Sequence, residues 1–456
     1  MLSKALVFYP KLLEEYRHLV EWMRSTLRPS FLSRIKGVNS VKTSAAGHHA
    51  LMSCMAAAML AGCGGSQPPI GAPGAMPQTI AALTRPNVTY EVLFSFGSNV
   101  YGYDGTQPVA GLIAVNGAFY GTTEYGGAAG YAHGDGTVFR LTATGKEVVL
   151  YSFTGSPDGA VPVADLVAVN GTLYGTTSEG GTYNGGTVFS ITRTGKEKVL
   201  HSFGNATDGT QPRAGLIAFR TRLYGTTYEG GAYGKGTVFT ISKTGSIERV
   251  LHSFGTGTDG ANPLATLVNV NGSLFGTTQV GGHGLGTVFK ISTTGRERVL
   301  HRFKGPDGAY PYAGLLASSA ALYGTTGGGG TADSGTVFSI STKGTDERVL
   351  HSFSSDGSDG IYPGAAVTMV DAALYGTTSA GGADGDGTVF RVTTSGKERV
   401  LHSFGSYQYD GTDPLSGLTE VNGTLYGTTY GGGVNLPSCP RSDGYCTYGT
   451  IFSLQP

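Results

Sequence analysis

The sequence predicts an all-β protein, a seven-bladed β-propeller of four-stranded antiparallel blades closed by the N-terminal strand joining the C-terminal blade. Three observations predict it. An aromatic-Gly-Thr-Thr phrase recurs seven times in 456 residues, with its glycine at Gly121, Gly175, Gly225, Gly276, Gly324, Gly376 and Gly427; a spacing of about 51 residues marks stacked or radial repeats. Each copy holds four short runs rich in β-branched and aromatic residues, the composition of strands. The series ends one run short and begins with one run to spare, so the last blade can take its missing strand from the first segment.

The second copy shows the elements in order: "DLVAV" (165–169), "TLYGTTS" (172–178), "GTVFSIT" (186–192) and "EKVLHSF" (197–203). Between the first two runs stands Asn170-Gly171, as do Asn116-Gly117, Asn271-Gly272 and Asn422-Gly423 in other copies. That dipeptide favours a type I′ hairpin, because both turn residues need positive φ. Arg220-Thr221, Ser319-Ala320 and Asp371-Ala372 replace it elsewhere, and those turns are expected to differ in type. A second tight turn, with a glycine such as Gly195, joins the third and fourth runs in six copies. The seventh stops after "GTIFSL" (449–454), while "EVLFSF" (91–96) precedes the first copy unpaired. A solenoid of the same period would instead carry capping repeats at both ends. Glycine in the second run is read as room for close approach between blades and loops.

Glycine supplies 76 residues without a collagen-like triplet, which means many turns rather than disorder, because regular apolar blocks stand between the glycines. Lysine plus arginine and aspartate plus glutamate are equal at 31 each, and charged residues make up 14% of the chain. With no basic stripe, nucleic acid is excluded as a partner. The one tryptophan, Trp22, lies outside every repeat.

The amino-terminal region reads as an address. "ALMSCMAAAMLAGC" (50–63) follows Arg34, Lys36 and Lys42. An apolar run of about 13 residues is too short to span a bilayer and suits a signal peptide. Leu60 to Cys63 resemble the lipobox of bacterial lipoproteins, which implies cleavage before Cys63 and acylation of that residue. Several acyl chains at about 0.8 kcal/mol per buried methylene form a stable anchor. Residues 1–62 are therefore assigned to a leader, 63–88 to the lipidated cysteine and a Pro, Gly and Ser linker, and 89–456 to the propeller. An overlong leader and a start at Met23 account equally for the first fifty residues. The expected location is extracytoplasmic, lipid-anchored, at the outer membrane or cell surface of a bacterium, as a monomer.

The order of "LYGTT", double glycine, "TVFSIT" and "VLHSF" resembles the kelch repeat. More closely, "LYGTTSEGGTYNGGTVFSITRTGKEKVLHSF" is similar to the GloVer tandem repeat of bacterial choice-of-anchor proteins, over residues 89 to 456. This resemblance implies a propeller at a cell surface and no known activity, and it brings no cofactor.

Several residues invite chemistry. Seven Asp-Gly pairs, among them Asp208 and Asp359, precede a proline and could ring one face as calcium ligands. A calcium loop needs several oxygen ligands at alternating positions, so these are read as turns. His201, His252, His301, His351 and His402 share one place in the fourth runs, and Phe94 and Tyr151 hold it in the others. The place is read as one for a flat ring packed between blades, with no metal expected. Cys439 and Cys446, in the enlarged last loop, are expected to form a disulfide in an extracytoplasmic protein.

The loops from second to third and from fourth to next first run emerge on one face and vary while the strands repeat. Variable loops on a repeat scaffold carry function. The candidate ligand residues there are Tyr125, Glu179, Tyr183, Tyr228, Glu229, Tyr233, His283, Tyr310, Tyr362 and Tyr430. Tyrosine with nearby acids suits a glycan or a surface protein. A propeller enzyme acting on polysaccharide and a structural envelope or adhesion component remain as alternatives, although no catalytic constellation stands out. Glu420 and Asn269 replace alanine in the first runs, and with Thr368 they mark where the central channel is expected to lose its symmetry.

Overall fold

Each repeat folds into one antiparallel meander. In the second copy Val167–Val169, Thr172–Thr177, Thr187–Thr192 and Glu197–Ser202 pair in that order across the sheet. The computed structural model describes residues 83–85 and 88–456 apart from 98–102, 129–133, 143, 206, 246–247, 358 and 434–447. The leader, Cys63, Cys439 and Cys446 lie outside the described residues. The blades are numbered one to seven by their innermost strands, which begin at Ile113, Val167, Ile217, Val268, Leu316, Thr368 and Thr419.

Those innermost strands span three residues each, shorter than the five-residue run predicts, because the preceding residues turn inward to ring the channel mouth. The Asn-Gly turns take positive φ at both residues. Arg220 and Ser319 are positive and their followers are not, which is the expected change of type. At Asp371-Ala372 both residues are positive, at 47° and 59°, so an alanine holds the conformation that glycine holds elsewhere.

Every outer strand carries a β-bulge. In blade two, Val188 faces His201 and Phe189 faces Val199, which leaves Leu200 without a partner. The bulge pushes this leucine's backbone toward the next blade. There the glycine of the second tight turn receives it: a Cβ on Gly245 would lie 2.6 Å from the carbonyl oxygen of Leu200. The glycine of the recurring phrase has a different role from the one expected. A Cβ on Gly175 would lie 2.6 Å from Cζ of Phe189, directly opposite on the third strand of the same blade, and 2.8 Å from Cδ2 of Leu166. It therefore makes room for an aromatic ring within its own blade.

Two sevenfold contacts join neighbouring blades. The phenylalanine ending each outer strand meets the third-strand phenylalanine of the next blade edge to face, with ring centroids 4.9 to 5.2 Å apart, from Phe96 with Phe139 round to Phe404 with Phe452. All these rings are buried. The first threonine of each phrase donates its hydroxyl to a backbone carbonyl at the start of the next blade, as in Thr176 to Ala214 (3.0 Å) and Thr377 to Ser416 (2.8 Å). The seventh such bond, Thr428 to Ala110 (2.9 Å), closes the ring.

Closure is also made through the sheet. Val92 pairs with Phe452, Phe94 with Ile451 and Ser95 with Thr450, so the segment ahead of the first repeat is the outer strand of blade seven. Leu83–Arg85 then pairs outside it, giving this blade a fifth strand. The ordered fold thus begins upstream of residue 89, within the expected linker.

Phe96→Ala removes a buried ring from one joint and is expected to cost about 3–5 kcal/mol. Denaturant unfolding of both proteins checks this; a loss below about 1 kcal/mol would mean that the ring stacking does not hold adjacent blades together.

Candidate functional site

On the long-loop face, the residue before each conserved-position proline lies in the left-handed region. These are Gln107, Val161, Gln211, Asn262, Tyr310, Tyr362 and Asp413, with φ between 52° and 60°. A non-glycine residue pays strain there. Two backbone bonds offset it. The Val161 N–H donates to the Asp135 carbonyl of blade one (2.9 Å), and its own carbonyl accepts from Ser178 N–H of blade two (3.0 Å). The same pair of bonds recurs at all seven positions. Since main-chain atoms do the clamping, the side chains are left to differ.

Inside this ring of clamps lies a recess of about 210 Å³ at the mouth of the central channel. One column of its wall is glycine or alanine in five blades, Gly111, Gly215, Gly314, Ala366 and Gly417, and polar in two, Asp165 and Thr266. The Gly111 amide donates to Asp165 Oδ1 at 2.6 Å, and the Gly215 amide donates to Thr266 Oγ1 at 3.0 Å. The surrounding protein raises the pKa of the Asp165 carboxyl, partly offset by the Gly111 amide. It still faces a water-accessible lumen, so this desolvation is partial. Asp165 and Thr266 thus break the symmetry of this column, as Arg213 and Tyr312 do two residues before the glycines of their own blades. Glu420 and Asn269 instead accept amides of their own hairpin turns, Gly423 N–H (2.6 Å) and Gly272 N–H (3.4 Å), and do not line the recess.

Around the rim, polar side chains of different blades meet. The Tyr228 hydroxyl donates to Gln279 Oε1 at 3.1 Å, Asn262 Nδ2 donates to the Tyr228 carbonyl at 3.0 Å, and the Arg213 guanidinium lies 4.8 Å from the Tyr228 ring centre. Tyr312 lies beside Gln279, with its phenol raised by burial. The Glu124 carboxyl is raised by burial and held down by Tyr125 and Arg213.

Of the residues expected on this face, Glu179 and Tyr430 lie near Tyr125, and Tyr228 and Tyr310 lie near Tyr312. Tyr183 and Tyr233, 53% and 55% exposed, stand farther out, and Tyr183 borders a separate recess with Leu200 and Asn205. Glu229 is exposed and accepts from Gln211 Nε2 at 3.4 Å. His283 and Tyr362 are exposed on their loops. Glu124, Asp165, Arg213, Thr266, Gln279 and Tyr312 were not anticipated. Their signal was in the sequence: each stands in a column of the repeat, after Gly-Thr-Thr or shortly after the proline, that differs from copy to copy.

The sequence profile of the Gloeobacter/Verrucomicrobia repeat matches residues 128–319 and again 283–456. The chain belongs to this repeat family. A comparison with curated proteins finds no match. Among solved structures, a chain in a crystal structure of a nidogen/laminin complex is similar at 17% identity and a TM-score of 0.39, with 59% of this chain and 92% of that chain covered.

Between the Gloeobacter/Verrucomicrobia repeats lies a second polar arrangement. His201, His252, His301, His351 and His402 each place Nε2 2.9 to 3.2 Å from the aspartate of the following Asp-Gly. Tyr151 donates its hydroxyl to Asp158 in the same way (3.0 Å). This corrects the reading of the histidine place as a flat ring alone and of Asp-Gly as a plain turn: six of the seven rings bring a polar atom to the aspartate, while also packing on the phenylalanine two residues on, as His201 does on Phe203 at 4.6 Å. A glutamate from the next blade, such as Glu147 or Glu197, faces each aspartate in six joints, with one carboxylate oxygen buried and unbonded.

Burial first, and then the facing Asp104 or Asp158, pushes Glu147 from the ordinary 4.5 up to about 8 and Glu197 up to about 7. The unfolded chain releases these protons near pH 4.5, whereas the folded chain keeps them to about pH 7–8. The unfolded state thus binds fewer protons in this window, and stability falls as pH rises through it. Thermal melts between about pH 5 and about pH 8 should show that fall, and E147Q/E197Q should make it shallower, the remainder coming from Glu248, Glu297, Glu347 and Glu398. An unchanged slope in the variant would remove these two carboxyls as its cause.

Proposed function

We propose that the protein is a non-catalytic module that binds a glycan at the channel mouth, held at a bacterial cell surface by lipid on Cys63. One observation carries the binding half of this reading. Where the repeats stop resembling one another, they assemble a cross-blade cluster, Tyr228 with Gln279, Arg213 and Tyr312, at the rim of a recess. Phenol rings offer flat apolar area to a sugar face, while the amide, the guanidinium and the rim acids Glu124 and Glu179 address hydroxyls. The anchor rests on the run ending in Leu60 to Cys63.

Screening the purified protein on a glycan array is the test of binding. Y228A and R213A are each expected to weaken the best glycan about tenfold or more, the loss of about 1.4 kcal/mol per contact. Retention of full affinity in both variants would discard the mouth as the binding site. For the anchor, C63S is expected to move the protein from the membrane fraction to the soluble fraction; wild type already found in the soluble fraction would discard lipidation.

A further inference from the structure

The joints between blades four and five and between blades five and six gather three ligand-type side chains each. At the first, His301 and Asp307 of one blade meet Glu347 of the next; at the second, His351 and Asp359 meet Glu398. Within each group one nitrogen or oxygen atom from each residue lies within 4.8 Å of those of the other two. The aspartates are fixed in place. Asp307 Oδ1 accepts the Lys304 amide at 2.7 Å, and Asp359 accepts the amides of Ser354 (3.2 Å) and Gly360 (2.8 Å).

The glutamates contrast with them. Glu347 Oε1 and Glu398 Oε1 are shielded from solvent and accept no hydrogen bond. A buried acceptor left without a donor costs about 1–3 kcal/mol, and here it also faces a second carboxylate. Blade seven shows how the same joint looks when complete. There Tyr90 stands in the glutamate's place, donates its hydroxyl to Asp410 Oδ1 at 2.8 Å and stacks on His402 at 3.7 Å. The glutamate's place thus supplies a hydrogen-bond donor to Asp410 in blade seven, whereas at Asp307 and Asp359 it supplies a second carboxyl group.

We propose that each of these two joints binds one divalent transition cation of the zinc class, ligated by His301, Asp307 and Glu347 or by His351, Asp359 and Glu398. One imidazole nitrogen with two carboxylate oxygens is a zinc-type donor set, with a water to complete four-coordination. Calcium prefers six to eight oxygens, which three side chains do not supply. The ion removes the repulsion between the carboxylates and ties adjacent blades, so its effect is on stability rather than on the channel mouth.

Chelator-treated full-length protein titrated with ZnCl2 by calorimetry, together with thermal melts in ZnCl2 and in CaCl2, tests the proposal. The expected result is a melting temperature raised by zinc and not by calcium. E347Q/E398Q should lose two zinc equivalents relative to wild type and lose the thermal response. H301F/H351F, which installs the residue that Phe94 already supplies at this place, should do the same while folding without metal. No zinc-induced shift, an equal shift with calcium, or variants that keep both equivalents would each overturn the proposal.

Discussion

Neighbouring blades meet through the edge of one phenylalanine against the face of another, seven times round a closed ring, and this contact dictates much of the chain. The third-strand ring can reach its partner only because the residue opposite it, Gly175 in blade two, has no side chain. The threonine that follows then spends its hydroxyl on the next blade, Thr176 on the Ala214 carbonyl. The bulged leucine of each outer strand, Leu200 for example, sets a carbonyl against a glycine turn of the next blade. A sequence that looks monotonous is therefore the same joint specified seven times, and the apolar content needed to bury it comes from within the repeats.

Much of this was legible before the fold was known. The four Asn-Gly turns, the split seventh blade and the strand pairing of Val92 to Ser95 follow from local chemistry and from counting runs. Other features depend on neighbours that a linear pattern does not display. Asp371-Ala372 keeps the left-handed turn although alanine resists it, because the flanking strands fix the register. The histidines looked like packing groups because their partners stand six to eight residues downstream, and the opposing glutamate arrives from another blade. Tyr183 and Tyr233 attracted notice as tyrosines, whereas Arg213 and Gln279 matter because of their columns in the repeat.

Polar groups consequently fall into two populations. Those that recur, the Thr hydroxyls and the His-Asp pairs, sit in joints and act on stability. Those that appear once, Asp165, Thr266, Arg213 and Gln279, sit around the recess. The left-handed clamp residues separate the two, since their backbone belongs to the joint and their side chains belong to the face. Divergence at the face is thereby insulated from the architecture beneath it.

The extra strand Leu83–Arg85 gives the molecule a mechanical property. It lies on the amino-terminal side of the segment that completes blade seven and pairs with it residue for residue, Leu83 to Tyr90, Thr84 to Thr89 and Arg85 to Val88. A tug applied upstream of Leu83 peels this short ribbon first. Only after those three pairs have parted does tension reach the latch itself, so the strip works as a fuse in series with the seal.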